Sequence, residues 1–518
     1  MPVAPILIHP CSSRPSATAM VLRNQTPSIT IEHLPTELLV EIIRQLRSMI
    51  GVTPPWFHTT FVCHRWRTII LGYAPFWTRI ETTNLEQATA YLERSKISPI
   101  DLTVTNFPPD EDQRRVLTSL LSPHIHRTKV LSVGVQHVED LIRYLGISFP
   151  ILEIFCVLPG SDDIPYEIHI SLDAPCIHQL RVSQATLDWE STLYKNLKSL
   201  WLLFAFEILP TIHKFLDVLE ACPLLSVLYL ADFSLDNPEI PVTQETRSIR
   251  LQHLEECHIG GTRSDVATLL RHINIPSCES FSIDFRPSSR AQKCSNLWVL
   301  PQDTSSRFPF IRDSTNVQLE IDLPRTATSA DPKFLNQKCD VRVDLSFGDD
   351  DSSAFSVSFP AVSTRLRPVI LDSAIAFVQP FAITTLVVAY DFENIHTSWE
   401  TTLLKFPRLK SLTVIAITYD AVQSLRAAKL YAALSFRSTS HQVVCPNLEE
   451  LYLFRFKLNS TLVDLLRSIL DIRALLGSRL RSLDIEDWYP MEEVRHVWPD
   501  FSNGVDEFSE SERSLETF

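Results

Sequence analysis

The side chains of this sequence best suited to a chemical task lie between Leu34 and Trp77, and the task is burial of apolar surface. In order they are Leu34, Pro35, Leu38, Ile42, Leu46, Val62, Cys63, Trp66 and Trp77. Apart from the Cys63 thiol, none of them carries an acid, a base or a nucleophile. Transfer of a Leu, Ile or Val side chain out of water is worth roughly 1.5–3 kcal/mol.

Residue patterns that carry catalysis do not occur in the sequence. It has no phosphate-binding Gly-x-x-x-x-Gly-Lys, no Gly-x-Gly-x-x-Gly, no Gly-x-Ser-x-Gly and no His-Glu-x-x-His. The 10 cysteines form no Cys-x-x-Cys pair, which argues against a zinc site. The Asp349-Asp350-Asp351 run has no second set of ligands and is expected to be solvated. We therefore expect no enzyme, no cofactor and no metal.

Two helices are predicted to position the apolar residues. Pro35 fixes its own φ and suits a helix start, so the first helix is expected to begin near residue 36. Its apolar stripe at helical spacing comprises Leu38, Leu39, Ile42, Ile43 and Leu46. Gly51, Pro54 and Pro55 should end it.

The second helix is expected to place five apolar residues on one side: Phe61, Val62, Trp66, Ile69 and Ile70. Together with the Pro75 to Trp77 corner, the two helices make a small unit, near the lower size limit for a self-sufficient core. Part of its apolar surface must be covered by something else.

The order Leu-Pro-x-Glu-Leu-Leu, Val-Cys-x-x-Trp-Arg and Pro-x-Trp resembles the F-box, by which substrate receptors dock on the small adaptor of SCF (cullin-RING) ubiquitin ligases. The resemblance implies that the nine residues from Leu34 to Trp77 named above meet the adaptor or support that face. The loop from Ser48 to Trp56 is longer than in compact members of the family. The alternative is that these residues are only the core of a helical N-terminal domain.

Composition limits the classes of partner. The 518 residues carry a net charge of −14, which disfavours nucleic acid and anionic membranes as main partners. The N-terminus has no charged region ahead of an apolar core, and the longest apolar run, near 200–209, is too short to span a bilayer. We expect an intracellular protein of the cytoplasm, the nucleus or both.

A second pattern recurs beyond residue 120, namely Leu-x-x-Leu-x-Leu or a close variant. Its ten copies are Leu152-Phe155-Val157, Ile177-Leu180-Val182, Leu197-Leu200-Leu202, Leu225-Leu228-Leu230, Leu254-Cys257-Ile259, Cys278-Phe281-Ile283, Ile383-Leu386-Val388, Leu409-Leu412-Val414, Leu448-Leu451-Leu453 and Leu480-Leu483-Ile485. The first six are spaced by 25, 20, 28, 29 and 24 residues, and later ones by 26, 39 and 32. Leucine-rich repeats run at roughly 20–29 residues.

The repeats extend the resemblance to F-box proteins with leucine-rich repeats. The expected fold class is α/β: a helical F-box, then an irregular leucine-rich-repeat solenoid with parallel strands on the concave face and helices or loops outside. Alternate strand positions should point outward and contact a target. Examples are Glu153, Arg181, Trp201, Tyr229, His258, Tyr452 and Asp484.

The resemblance, the repeat pattern and the composition of the chain ends imply six segments. They are a disordered N-terminus (1–30), the F-box (31–80), a cap with irregular repeats (81–300), an insertion or loose hairpin with an acidic loop (301–368), further repeats (369–490) and an acidic disordered tail (491–518). Strands are expected at 316–323 and 340–347 within the insertion.

The resemblance implies a noncatalytic substrate receptor. Its partners would be the adaptor, cullin through the adaptor, and a protein target that the sequence does not identify. The alternative is a repeat-domain scaffold with no link to ubiquitination.

Overall fold

The chain forms two units in the computed structural model. Unit 1 comprises Met1–Trp77 and Arg94–Lys96, and unit 2 comprises Thr78–Glu93 and Ile97–Phe518. The structure describes residues 34–50, 54–108, 110–146, 148–160, 166–169, 172–203, 210–236, 247–285, 308, 316–322, 338–346, 353–363, 382–390, 399–416, 423–435, 443–454, 460–486 and 503–510. The predicted disorder at 1–30 and the Asp349-Asp350-Asp351 loop lie outside the described residues.

Unit 1 is built from helices. Helix α1 spans Thr36–Ile50 and helix α2 spans His64–Gly72. The 3-10 turns Pro54–Phe61 and Ala74–Trp77 precede and follow α2. Helix α1 begins at the expected residue, and the Pro35 carbonyl accepts the Leu39 N–H at 3.2 Å in its first turn.

Helix α2 starts later than the sequence predicts. Phe61 ends the preceding 3-10 turn, and Val62 donates its N–H to the Thr59 carbonyl at 3.3 Å. Cys63 is extended, with φ −158° and ψ 171°. This extended residue separates the turn from the helix, so Phe61 and Val62 do not share a helical face with Trp66.

Unit 1 has a core of its own. Leu39 and Ile43 of α1 and Trp66 and Ile70 of α2 are buried together with Trp77. The Trp77 indole N–H donates to the Ile70 carbonyl at 2.8 Å. This bond pairs the buried polar atom of Trp77, as burial of an indole requires.

Unit 2 consists mainly of short strands. In chain order they are β1 (Arg79–Glu81), β2 (Ile100–Val104), β3 (Thr128–Gly134), β4 (Ile154–Leu158), β5 (Tyr166–Ile168), β6 (Gln179–Ser183), β7 (Ala185–Leu187), β8 (Ser199–Leu203), β9 (Val227–Phe233), β10 (Ile249–Arg250), β11 (Glu256–Gly261), β12 (Ile273–Asn274), β13 (Ser280–Phe285), β14 (Asn316–Asp322), β15 (Lys338–Ser346), β16 (Ser353–Ser363), β17 (Thr385–Tyr390), β18 (Ser411–Ala416), β19 (Glu450–Phe454), β20 (Leu480–Glu486) and β21 (Val505–Glu510). 

Helices alternate with many of these strands. They are α3 (Leu85–Ser95), α4 (Glu111–Leu121), α5 (Val138–Leu145), α6 (Ile212–Glu220), α7 (Arg263–His272), α8 (Trp399–Leu403), α9 (Gln423–Leu434) and α10 (Ser460–Leu475). Helix α6 buries Ile212, Phe215, Leu216 and Leu219, the four residues whose helical spacing predicts that face.

Seventeen of the described strands form one sheet. Its order is β1-β2-β3-β4-β6-β8-β9-β11-β13-β16-β15-β14-β17-β18-β19-β20-β21. Within this order the pairings are parallel except those of β15, which runs antiparallel to β14 and β16. The fold class is therefore α/β with a predominantly parallel sheet.

The ten predicted triplets form a buried ladder in each half of this sheet, on the strands from β4 to β13 and from β17 to β20. Each lies in or directly before a strand, and none of its side chains is more than 7% exposed. The parallel register sets Leu200, Leu228 and Cys257 side by side. Ile80 and Leu102 hold the same register position in β1 and β2, so the ladder extends into the segment expected as a cap.

The segment at 301–368 differs from expectation. Strands β14 and β15 do form an antiparallel pair, but β16 joins them, and β16 and β14 also pair in parallel with β13 and β17. Phe355 and Val357 of β16 hold the register positions of Phe281 and Ile283. Because β16 continues the ladder alternation, this segment is part of the sheet between its two halves instead of an insertion outside it.

The C-terminal segment also differs. Residues 491–518 were expected to be disordered, yet β21 pairs in parallel with β20. Val505 is buried and lies in register with Leu480. The open edge of β20 offers unpaired backbone groups, and these bind a strand even where its side chains are mostly acidic.

No helix in the described part of the chain is long and apolar enough to cross a membrane.

Candidate functional site

Helix α1 divides its apolar residues between two faces. Leu39 and Ile43 are buried, whereas Leu38 is 51% exposed and Ile42 is 38% exposed. The sequence pattern merges these residues into one broad stripe, because positions one apart differ by about 100° around a helix. The structure splits the stripe into a core face and an exposed apolar face.

The connection into α2 carries a second group of exposed apolar side chains. Phe61 is 63% exposed and Val62 is 59% exposed, and Cys63 is exposed as well. Arg67 fixes the backbone here, since its Nε–H donates to the Thr60 carbonyl at 3.1 Å. The exposure of these residues therefore belongs to an ordered segment held by α2.

The two tryptophans of the predicted set have a different role. Trp66 and Trp77 are buried in unit 1, and the Arg94 guanidinium lies 4.5 Å from the centroid of the Trp77 ring. They support the fold and do not face solvent. Leu34 and Leu46 are half-buried, and Pro35 is exposed.

The nine predicted residues thus separate into seven with accessible surface and two in the core. The sequence reasoning missed Phe61, the most exposed large apolar residue described in unit 1. Phe61 directly precedes Val62, a residue of the predicted set, and this position could have indicated that it is exposed. The prediction placed Phe61 on the same helical face as Trp66 instead. We call Leu38, Ile42, Phe61 and Val62 the exposed apolar set.

Unit 2 carries a row of stacked side chains on the outward face of its sheet, the face opposite the ladder. The Arg181 guanidinium lies 4.5 Å from the Trp201 ring centroid. The Trp201 and Tyr229 rings stack at 4.5 Å, and Tyr229 stacks on His258 at 4.2 Å. These four residues, here called the aromatic row, share one register position on β6, β8, β9 and β11.

Parallel register produces the stacking, because neighbouring strands lie about 4.8 Å apart and equivalent side chains then meet face to face. Sequence alone names each residue as outward but does not show the contacts between them. The rings are half-buried, so their edges remain accessible. Aromatic and arginine side chains of this kind supply much of the energy of protein interfaces.

The last ring of the row is anchored by polar contacts. The His258 Nδ1 lies 2.6 Å from the Ser282 hydroxyl, and Nε2 lies 3.5 Å from the Asp284 carboxylate. Burial lowers the pKa of His258, and the Asp284 charge opposes that shift. His258 is consequently neutral at pH 7, and the row has its positive charge at the Arg181 end.

Glu153 does not belong to this row. It precedes β4 and its carboxylate binds Lys129 at 3.1 Å, while Cys156 holds the position beside Arg181. Tyr452 and Asp484 do lie in register with each other, on β19 and β20 in the other half of the sheet.

Thiol chemistry has no support among the buried cysteines. Burial raises the pKa of Cys222 to about 11 and that of Cys278 to about 12, so both are neutral thiols at pH 7 and pack as small apolar residues. No group of three or more metal-binding side chains occurs among the described residues.

No protein-family model matches the sequence, and no curated protein matches it.

Proposed function

We propose that this protein is an F-box substrate receptor with irregular leucine-rich repeats, acting in an SCF-type ubiquitin ligase. Unit 1 docks on the adaptor, which links it to cullin, and the outward face of the unit 2 sheet binds a protein target. Such a receptor acts in the cytoplasm or the nucleus. It supplies no catalytic group.

The observation that carries the proposal is the exposed apolar set of unit 1. Leu38, Ile42 and Val62 match the F-box pattern at positions that meet the adaptor, and all three are exposed although the unit has a complete core beneath them. Covering such side chains is worth up to roughly 1.5–3 kcal/mol for each. A few of them are sufficient for a specific interface when they pack centrally.

The sheet supports the second half of the proposal. Its outward face presents an ordered set of half-buried aromatic rings and charges at regular spacing, which suits contact with a protein surface. A receptor with these two surfaces accelerates ubiquitin transfer by proximity, because it replaces a rare encounter between target and charged enzyme with a local one.

The test is capture of the adaptor by the full-length chain. Leu38→Ser combined with Val62→Ser removes two exposed apolar side chains and leaves the core intact. We expect captured adaptor to fall by at least about tenfold, which corresponds to about 1.4 kcal/mol, with no decrease in thermal stability. Cullin should co-purify with the wild-type chain and be lost with the adaptor.

Leu71→Ser is the matched control, since Leu71 is an equally apolar residue of α2 with 38% exposure that lies outside the F-box pattern. It should capture adaptor as the wild type does. Undiminished capture by the double variant, or absence of cullin from wild-type preparations that contain adaptor, would rule out the assignment. The second result would favour a repeat-domain scaffold.

A further inference from the structure

Two carboxylates and two aromatic rings meet on the outward face at β19 and β20. Tyr452 lies in register with Asp484, and Phe454 lies in register with Glu486. The two rings are nearly parallel, with centroids 6.5 Å apart and an interplanar angle of 8°. Each ring therefore has a carboxylate beside it on the neighbouring strand.

Neither carboxylate has a partner among the described residues. The Oδ1 atom of Asp484 is buried and accepts no hydrogen bond from that part of the chain. Glu486 is 8% exposed, and across the described ranges of the chain its side chain has neither a hydrogen bond nor an ion pair. Strand alternation sets Glu486 on the same face as Asp484, two residues along β20. A buried carboxylate without a donor is costly and is rarely retained unless something else satisfies it.

Three other carboxylates of the outward face and its margin each have a partner. Asp284 lies 3.5 Å from His258, and Glu153 lies 3.1 Å from Lys129. Glu450, also on β19, pairs with Arg481. Asp484 and Glu486 differ from these three carboxylates because neither has a hydrogen bond or an ion pair to a described residue.

The repeat distance at this site is that of an extended chain. Side chains two residues apart on a strand project from one face about 6.6–6.8 Å apart, and the 6.5 Å between the Tyr452 and Phe454 centroids follows the same repeat. Cations bind aromatic faces within about 6 Å of the centroid and bind carboxylates through charge-assisted hydrogen bonds. Two carboxylates alone are too few for calcium, which takes about 6–8 oxygen ligands.

We propose that this site binds an extended segment of a protein partner that carries arginine or lysine at positions i and i+2. Each cation contacts one carboxylate and the ring beside it. The inference rests on the proposed function in one respect, because it names the class of target that the receptor would bring to the ligase. Binding itself requires no adaptor.

The test uses the purified full-length chain and two fluorescent peptides of identical composition. One is Gly-Ser-Arg-Ser-Arg-Ser-Gly, with both arginines on one face of an extended chain. The other is Gly-Ser-Ser-Arg-Arg-Ser-Gly, with the arginines on opposite faces. We expect the first to bind severalfold more tightly by fluorescence anisotropy at low ionic strength, and its affinity to fall as salt is added.

Asp484→Asn with Glu486→Gln removes both charges while preserving shape. This variant should weaken the first peptide by at least about tenfold, and its melting temperature should be equal to or above that of the wild type, because an unpaired buried charge has been removed. Tyr452→Leu, which keeps both carboxylates, should weaken binding by a smaller factor. Glu153→Gln should leave binding unchanged.

Absence of binding to the wild-type chain, equal affinity for the two peptides, or full affinity in the double-amide variant would each overturn the inference. Adaptor capture, measured on the same preparations, keeps the two proposals apart. Peptide binding without adaptor capture contradicts only the ligase assignment, and adaptor capture without peptide binding contradicts only the basic-segment site.

Discussion

The ladder of unit 2 and the exposed apolar set of unit 1 place apolar side chains in opposite environments. In unit 2 every side chain of the ten ladder triplets is at most 7% exposed, whereas in unit 1 the exposed apolar set ranges from 38% to 63% exposed. Unit 1 is not short of a core, because Leu39, Ile43 and Trp77 are fully buried beneath that set. The difference shows that apolar surface in unit 1 exceeds what folding of the unit uses.

A ladder residue therefore contributes to folding stability, whereas an exposed residue of the same type is available for binding. In the sheet, the parallel register stacks each ladder side chain between equivalents on two neighbouring strands, so its removal leaves a cavity. In unit 1, removal of an exposed leucine leaves no cavity and decreases an unfavourable contact with water. Stability and binding measurements on matched substitutions separate the two roles.

The largest effect is expected at Trp77. This residue lies in unit 1 but is fully buried, as the ladder residues of unit 2 are. Trp77→Ala removes a fully buried ring and the hydrogen bond to the Ile70 carbonyl. Such substitutions cost about 3–5 kcal/mol, and a unit of this size has little stability in reserve. Limited proteolysis should show rapid cleavage within residues 34–77.

Trp77→Phe is the control for this experiment. It keeps most of the buried ring and loses the N–H donor, so the expected cost is about 1–3 kcal/mol, the range for leaving one buried carbonyl unsatisfied. Protection of Trp77→Ala equal to that of the wild type would show that the core of unit 1 does not depend on this corner.

A smaller effect is expected in the sheet, and it sharpens the contrast directly. Leu228→Ala opens a cavity between Leu200 and Cys257, at a cost of about 2–5 kcal/mol. Leu38→Ala, the same chemical change at a residue that is 51% exposed, should stay within about 0.5 kcal/mol of the wild type. Denaturant unfolding followed by circular dichroism measures both. Equal costs for the two leucines would remove the distinction between the ladder and the exposed apolar set.

The sequence predicts the ladder well because the Leu-x-x-Leu-x-Leu pattern recurs in ten copies. The last two residues of every triplet lie in a strand, and the first residue lies in that strand or two positions before it. It also predicts the start of α1, because the fixed φ of Pro35 is a local signal. The ladder strands and the start of α1 are predictable because they depend on residues that are neighbours in the sequence.

Features that depend on neighbours in space were not predictable in the same way. Helical spacing does not tell which of Leu38 and Leu39 faces solvent, since the two stripes adjoin. The stacking of Trp201 on Tyr229 follows from strand register, and the pairing of β21 follows from the open edge of β20. That Asp484 and Glu486 have no partner among the described residues follows from the positions of donors on neighbouring strands, which the sequence does not give.

The smallest expected effect is a pH dependence of unit 2. Burial lowers the pKa of His124, His137 and His258, so the folded unit holds these rings neutral while the unfolded chain protonates them near their ordinary pKa of 6.5. As the pH falls below 6.5, the unfolded state binds more protons and the stability of unit 2 decreases; above it, this contribution is complete.

His124→Gln is the variant that isolates this contribution. At His124, burial and the charges of Arg127 and His126 all lower the pKa, and the glutamine carbonyl can still accept the Arg127 Nε–H, which lies 3.3 Å from the His124 Nδ1. Melting temperatures at pH 7.5 and at pH 5.5, values chosen to flank about 6.5, should differ less in the variant than in the wild type. The decrease in wild-type melting temperature between pH 7.5 and pH 5.5 should be smaller than the decrease caused by Leu228→Ala. If His124→Gln shows the same decrease between the two pH values as the wild type, groups other than His124 cause the acid sensitivity.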